Sequence, residues 1–504
     1  MSSVQARLAV ATARGARPGR GPRIAGALAL LGGIAVAPGV LAQARETPPP
    51  PGPPRPLSIE APAERTLPNG LRVIVARRAD VPLVSAVLVI RSGAEVDPPG
   101  RAGLASLTAG LLTQGTRRHS APRIAAAAEA LGGSLESGAG WDRSEVSITV
   151  TTPRLDAALG LLAEVATEPT FANAEIDRLR AQTLDQLKVT YASPGALARL
   201  AVERQAFGNG AYGHPANGTP TSLKRIGRTD VTALHRAYYR PDNAALVLAG
   251  DVDLDAGVAL AARHFGRWRA PSDSAVPTPA DAAGMPGAPL LLVDMPASGQ
   301  AGVAFGVALP RPRDDERAIA SVLNAVLGGG YSSRLNQEIR IRRGLSYGAG
   351  SQLEMRRRAA LLRVAVQTRN ETAGDVAALI DAEIDRLIAE PVGADELAAR
   401  QATLLGDLSR SLETTSGLAG AIVALVAGDR DPAELPARVD ALAAVTPAQI
   451  QRYAATHLGT ERRRVVVAGE VTSMGEALAR RAARTLNAAE LDRDGASAVP
   501  KPAR

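Results

Sequence analysis

The sequence predicts an α+β protein of two duplicated domains, each an antiparallel-rich mixed sheet with helices packed on one face. Three observations carry this expectation. The chain has 504 residues, enough for more than one domain of usual size. Hydrophobic residues make up 46% and aromatic ones only 3%, so a large core can form, built mainly from aliphatic side chains. The same order of strands and helices occurs on both sides of one turn-rich break.

In the first half, Gly70-Leu-Arg-Val-Ile-Val and Val84-Ser-Ala-Val-Leu-Val-Ile read as strands, and a helix follows around Gly103–Leu112. Near the end of that half, a helix holding Val231–Tyr239 precedes a strand beginning at Ala244. The break lies between Ala270 and Pro289, where Pro271, Pro277, Pro279, Gly284, Pro286 and Gly287 leave no hydrophobic period. The second half repeats the order. Pro289-Leu-Leu-Leu-Val and Gly302-Val-Ala-Phe-Gly-Val-Ala-Leu are strands, and Glu316–Leu327 is a helix. Ile319, Val322, Leu323 and Val326 recur there at i, i+3, i+4 and i+7, which makes one buried face. A helix holding Gln449–Thr456 and a strand from Arg464 close the repeat. The expected domains are residues 57–270 and 289–486, joined by a linker over 271–288 and followed by a disordered tail over 487–504.

The N-terminus speaks to compartment. Arg7, Arg14, Arg17, Arg20 and Arg23 precede an apolar run from Ile24, which ends in Leu41-Ala42-Gln43-Ala44. A basic region, an apolar stretch and an Ala-x-Ala site read as a secretory signal peptide over residues 1–44, with cleavage after Ala44 and a periplasmic or secreted product. Gly32, Gly33 and Pro38 break the run, which argues against a permanent anchor, and no later segment approaches transmembrane length. Residues 45–56 are Pro-rich and form an extended tether.

Charge and cysteine content remove several function classes. The net charge is +8, but five of the 58 basic residues lie in residues 1–44 with no acid beside them. The remainder carries 53 basic against 50 acidic residues and no basic stripe interleaved with aromatics, so nucleic acid is not an expected partner. The absence of cysteine excludes disulfides, thiolate metal sites and cysteine nucleophiles.

At Gly103-Leu-Ala-Ser-Leu-Thr-Ala-Gly-Leu-Leu-Thr-Gln-Gly-Thr116 the sequence resembles the metal helix of the insulinase-like (pitrilysin-type) peptidases, whose pattern is G-L-A-H-F-L-E-H-M-L-F-x-G-T. Pro68-Asn69-Gly70-Leu71, Arg91-Ser92-Gly93, Tyr239-Arg-Pro-Asp-Asn243 and Ala249-Gly-Asp-Val252 also fit, and the resemblance extends over about residues 60–485. It implies a pitrilysin-like fold. It also implies a zinc site, in which two His one helical turn apart grip the metal and a neighbouring Glu takes a proton from the metal-bound water. In this chain those positions hold Ser106, Ala109 and Gly110, the third-ligand position on a later helix falls on Gln186, and a nearby family glutamate falls on Leu179. Metal ligands and general base are therefore missing together. The five histidines, His119, His214, His235, His264 and His457, offer no helical ligand pair and read as surface or structural residues.

A second family motif is retained at Leu327-Gly-Gly-Gly-Tyr-Ser-Ser-Arg-Leu-Asn-Gln-Glu-Ile-Arg-Ile-Arg-Arg-Gly-Leu-Ser-Tyr347. The resemblance implies that Arg340 and Tyr347, seven residues apart, reach the substrate and the reacting carbonyl. Locally, Ser332 or Ser333 is expected to cap a short helix, Leu335 and Ile339 to form its buried stripe, Gly344 to end it, and Tyr347 to lie on the next strand. The run Arg356-Arg-Arg358 reads as a solvated hairpin end, and Trp141 and Trp268 as core or interface anchors.

The resulting expectation is the non-zinc subunit of a heterodimeric peptidase. It would bind no cofactor itself and would be inactive alone. Arg340 and Tyr347 would act in trans on a peptide substrate beside a zinc-bearing homologue. The alternative is a non-catalytic peptide-binding or core scaffold of an envelope complex.

Overall fold

In the computed structural model, residues 59–271, 275–475, 478, 480 and 482–491 are described. The expected signal peptide and Pro-rich tether lie outside the described residues, as do residues 492–504 of the expected tail. The described residues all fall in one compact unit, Pro56–Arg504.

Two six-stranded sheets organise the chain. The first contains β1 (Ala63–Thr66), β2 (Arg72–Arg77), β3 (Leu83–Ile90), β4 (Glu136–Ala139), β5 (Ser144–Thr151) and β6 (Ala244–Gly250), in the spatial order β1-β2-β6-β3-β5-β4. The second contains β7 (Leu290–Asp294), β8 (Ala301–Pro310), β9 (Ala349–Met355), β10 (Ala359–Thr368), β11 (Arg464–Gly469) and β12 (Arg484–Asn487), in the order β12-β7-β11-β8-β10-β9. The duplication is visible in the topology. In each sheet the late strand inserts between the first two core strands, parallel to one and antiparallel to the other: β6 between β2 and β3, β11 between β7 and β8. Only the outer strand differs in origin. It is β1, antiparallel to β2, in the first sheet, and β12, parallel to β7, in the second. Residues 487–491 correct the expected disordered tail. Asn487 pairs with Asp294 at the end of β12, and Ala488–Leu491 form a helical turn in which Leu491 packs on the sheet.

The helices repeat in the same way. The first half supplies α1 (Leu104–Leu111), α2 (Ala121–Ala130), α3 (Leu155–Thr167), α4 (Asn173–Ala192), α5 (Pro194–Phe207), α6 (Pro220–Arg225), α7 (Arg228–Tyr238) and α8 (Leu254–Phe265). The second supplies α9 (Asp314–Leu327), α10 (Ala373–Ala389), α11 (Ala394–Leu412), α12 (Thr415–Ala427), α13 (Ala437–Ala443) and α14 (Pro447–His457). Strand alternation assigns the faces. Val84, Ala86, Leu88 and Ile90 of β3 point to the first half's own helices, α1, α3, α7 and α8. In α9 the stripe Ile319, Val322, Leu323 and Val326 is buried as its spacing predicts, and the helix stops at Gly328.

The opposite face of each sheet is covered by a helix from the other half. Leu197, Ala198, Ala201 and Val202 of α5 pack on Leu291, Val293, Ala304, Val466 and Ala468 of the second sheet. Conversely, α12 packs against β3 and β6 and shares a core with Val87, Val89, Ala245 and Val247 of the first sheet. Full burial of Leu197 and Val202 contributes roughly 1.5–3 kcal/mol each. The approach of α5 requires glycine, since a Cβ on Gly302 of β8 would lie 2.5 Å from Gly195 Cα. Residues of the expected linker run along the end of α5, with Ala211 N donating to Asp281 O at 2.7 Å and Gly284 N to Phe207 O at 2.7 Å.

Candidate functional site

The retained motif forms a small platform between α9 and β9. After Gly328–Gly330 the chain passes Tyr331 and enters a helix whose part over Asn336–Ile341 has π geometry, with Arg342 N donating to Gln337 O at 2.9 Å. Such wide turns recur at functional sites because they re-aim the side chains they carry. Leu335 and Ile339 anchor the segment and are fully buried. Gly344 ends it at φ +63°, a conformation that favours glycine. The expected side-chain cap is absent. Ser333 Oγ is buried without a hydrogen-bond partner among the described residues, and Ser332 Oγ accepts from Arg400 at 2.6 Å. Tyr347 does not lie on a strand. It precedes β9 by two residues, in a turn where Ser346 Oγ donates to Gly348 O.

This displacement brings the two expected residues together. The Arg340 guanidinium sits 5.0 Å from the ring centre of Tyr347 and 5.0 Å from that of Tyr331. Both rings face solvent, Tyr347 at 91% and Tyr331 at 67% exposure. Asn336, itself buried, joins the segments that carry the rings. Its Nδ2 donates to Tyr331 O at 2.6 Å, and its Oδ1 accepts from Ala349 N at 3.3 Å. The neighbouring arginines are engaged differently, for Arg342 and Arg343 both pair with Glu338. Among the described residues Arg340 has no carboxylate partner, so its N–H edges are available. Cation–π contacts of this kind hold a guanidinium by about 0.5–1 kcal/mol each at exposed sites. Tyr331 and Asn336 escaped the sequence reading. The signal was there in part, since two of only seven tyrosines flank one arginine in a glycine-rich segment.

The metal-motif positions hold a packed helix. Ser106, Ala109 and Gly110 lie on α1. Ser106 Oγ donates to Asn217 Oδ1 at 3.1 Å, Ala109 is fully buried, and a Cβ on Gly110 would meet Leu179 Cδ2 of α4 at 3.0 Å. Gln186, on α4, is exposed. One hydroxyl, two residues without side-chain donors and one neutral amide do not make a zinc site. Among the described residues no group of three or more His, Asp or Glu is placed to hold a metal ion. The histidines are occupied structurally. His119 Nδ1 meets Glu164 at 2.8 Å, His214 Nε2 meets Ala94 O at 2.9 Å, His235 Nε2 meets Ala166 O at 2.9 Å, His264 Nε2 meets Asp156 at 2.7 Å, and His457 lies against Tyr453.

The hairpin between β9 and β10 departs from expectation. Arg356 is 3% exposed, not solvated. It pairs with Glu203 of α5 and with Glu354 at 2.9 Å, and its guanidinium lies 4.2 Å from the Trp141 ring centre. Arg357 donates to Arg91 O at 2.9 Å and to Asp142 O at 2.7 Å. Trp141 is therefore an anchor between the halves.

Comparison with known proteins agrees with this architecture. The family model described as insulinase (peptidase family M16) matches residues 72–219, and that described as peptidase M16 inactive domain matches residues 225–404. The chain belongs to the M16 insulinase family. An uncharacterized zinc protease of Mycobacterium leprae is 30% identical over 290 residues, which cover 58% of this chain and 65% of the relative, a little under two thirds. A Helicobacter pylori protein named non-peptidase homolog YmxG is 25% identical over 333 residues, 65% of this chain and 76% of the relative. The crystal structure of a peptidase M16 inactive domain from Pseudomonas fluorescens superposes with a TM-score of 0.75 at 24% identity, over 82% of this chain and 99% of that one, and shares its fold. Within this M16 fold, α1 carries Ser106, Ala109 and Gly110 and α4 carries Gln186, while Arg340 stands beside Tyr331 and Tyr347.

Proposed function

We propose that the chain is the non-zinc subunit of a two-chain M16 peptidase outside the cytoplasm. It would present Arg340 and Tyr347 to a peptide cleaved by a zinc-bearing homologue. The observation that carries this reading is the Arg340 guanidinium, without a carboxylate partner among the described residues and 5.0 Å from the ring centres of two exposed tyrosines. A guanidinium that lies over tyrosine rings and pairs with no carboxylate among the described residues keeps a planar N–H fork able to grip a carbonyl or carboxylate. A tyrosine hydroxyl beside it can donate to an oxygen that gains negative charge. Metal and general base belong to the partner, since α1 and α4 here supply neither. The basic, apolar and Ala-x-Ala order of residues 1–44 supports export.

The first experiment is recovery of the mature chain from its native envelope with bound partners identified by mass spectrometry. A stoichiometric homologue carrying H-x-x-E-H, and chelator-sensitive peptide cleavage by the pair, is the expected result. Tyr347→Phe and Arg340→Ala should each slow that cleavage with the dimer intact. Wild-type rates in both variants would refute the assigned roles. The second reading, a non-catalytic peptide-binding scaffold, draws on the non-peptidase relative. It would be favoured by recovery of the chain alone or with unrelated envelope proteins.

A further inference from the structure

A cleft of about 260 Å³ opens between the two halves. It borders the metal-motif helix through Asn217, which accepts the Ser106 hydroxyl. Trp141 forms part of its wall, Arg199 and Glu203 of α5 line one side, and Glu354 and Arg363 of the second sheet line the other.

The charges in this cleft do not balance. Arg356 pairs with both carboxylates, Glu203 and Glu354. Arg363 also binds Glu354, at 2.7 Å, and reaches Gln352 Oε1 at 2.9 Å. Two carboxylates are thus consumed by two guanidiniums. Arg199 is left over, exposed at the mouth and without a carboxylate partner among the described residues. Desolvation and the like charge of Arg363 hold its guanidinium below the ordinary arginine range. An arriving anion offsets the like charge of Arg363, and the adjoining Trp141 ring offers an apolar wall.

We propose that this cleft binds the carboxylate of a short peptide, with Arg199 supplying the uncompensated charge and Trp141 the apolar contact. The volume lies just below the ~300 Å³ of the smallest ligand pockets, so it suits one or two residues rather than an extended strand. A chain terminus and an acidic side chain present the same chemistry, a carboxylate accepting from a guanidinium fork. The site does not depend on Arg340, Tyr347 or a partner subunit, so it can stand or fall separately from the peptidase reading.

The test is calorimetric titration of the full mature chain with three peptides: N-acetyl-alanyl-leucine, its C-terminal amide, and N-acetyl-glutamyl-leucine amide. The free acid should bind at least about tenfold more tightly than the neutral amide. Binding of the glutamyl amide at the strength of the free acid would assign the site to acidic side chains as well. Binding at the strength of the neutral amide would restrict it to chain termini. Arg199→Gln should weaken the free acid by about tenfold with the melting temperature unchanged. Equal affinity for acid and neutral amide, full affinity in Arg199→Gln, or no heat of binding from any peptide would overturn the proposal.

Discussion

Replacing Arg356 by Met removes one charge from the contact between the halves and keeps the aliphatic stem. In the native chain this guanidinium is buried against Glu203 and Glu354 and lies 4.2 Å from Trp141, 5.0 Å from Phe207 and 5.0 Å from Tyr212. Glu354 retains Arg363 after the substitution, but Glu203 loses its ion-pair partner. Breaking a buried pair from one side costs about 3–5 kcal/mol, because the remaining charge stays desolvated. Lost cation–π contact adds about 1 kcal/mol. Burial already lifts the Glu203 carboxyl above its usual range, so protonation caps the penalty and the loss should shrink as pH falls. The assay is urea unfolding in a Trp268→Phe background, so that fluorescence reports Trp141 alone. A destabilisation of about 3–5 kcal/mol is expected, with partial recovery when Glu203→Gln is added. A loss below about 1 kcal/mol, the size of a surface pair, would refute the reasoning. So would a double variant no better than the single one.

Three further outcomes are expected. Burial, reinforced by Asp142, lifts Glu95 to about 8, and burial lifts Asp97 to about 8. Both fold protonated at neutral pH but ionise when unfolded, so stability falls as pH rises from about 5 to 8, by up to about 1.4 kcal/mol per pH unit per group. In thermal scans across this window, Glu95→Gln should gain on wild type as pH increases, and parallel curves would contradict the assignment. Restoring the motif with Ser106→His, Ala109→Glu, Gly110→His and Gln186→Glu should not confer zinc binding by elemental analysis while Leu179 blocks position 110; stoichiometric zinc in that variant would show α1 to be more adaptable than its packing implies. Asn336→Ala should cost about 1–3 kcal/mol by stranding the Tyr331 carbonyl and the Ala349 amide, measured by denaturant midpoint, with an unchanged midpoint counting against the bridge.

Local pattern carried much of the fold. The repeated strand–helix order and the α9 stripe depend on residues close in sequence, and periodicity reads those well, whereas Arg340 and Tyr347 are singled out by the family resemblance. What escaped depends on distant partners. Three consecutive arginines look solvated until Glu203, 153 residues away, is placed beside Arg356. The cover of each sheet's second face was likewise illegible, since nothing local in α5 or α12 names strands of the other half as their partners. At the platform, Tyr347 lies two residues before β9, and the contact of Arg340 with both Tyr347 and Tyr331 appears only in the folded chain.

The exchange of α5 and α12 bears on how a doubled protein of this kind can arise and come apart. Neither repeat is self-sufficient, because each leaves one sheet face bare and sends the helix that covers it to its twin. Each half stands to the other as one protomer to its partner in a swapped dimer, with the two tied end to end. The tie is then a matter of local concentration rather than of architecture. Severed within residues 271–288, the two pieces should find each other again in solution, whereas either piece alone should expose an aliphatic sheet and aggregate.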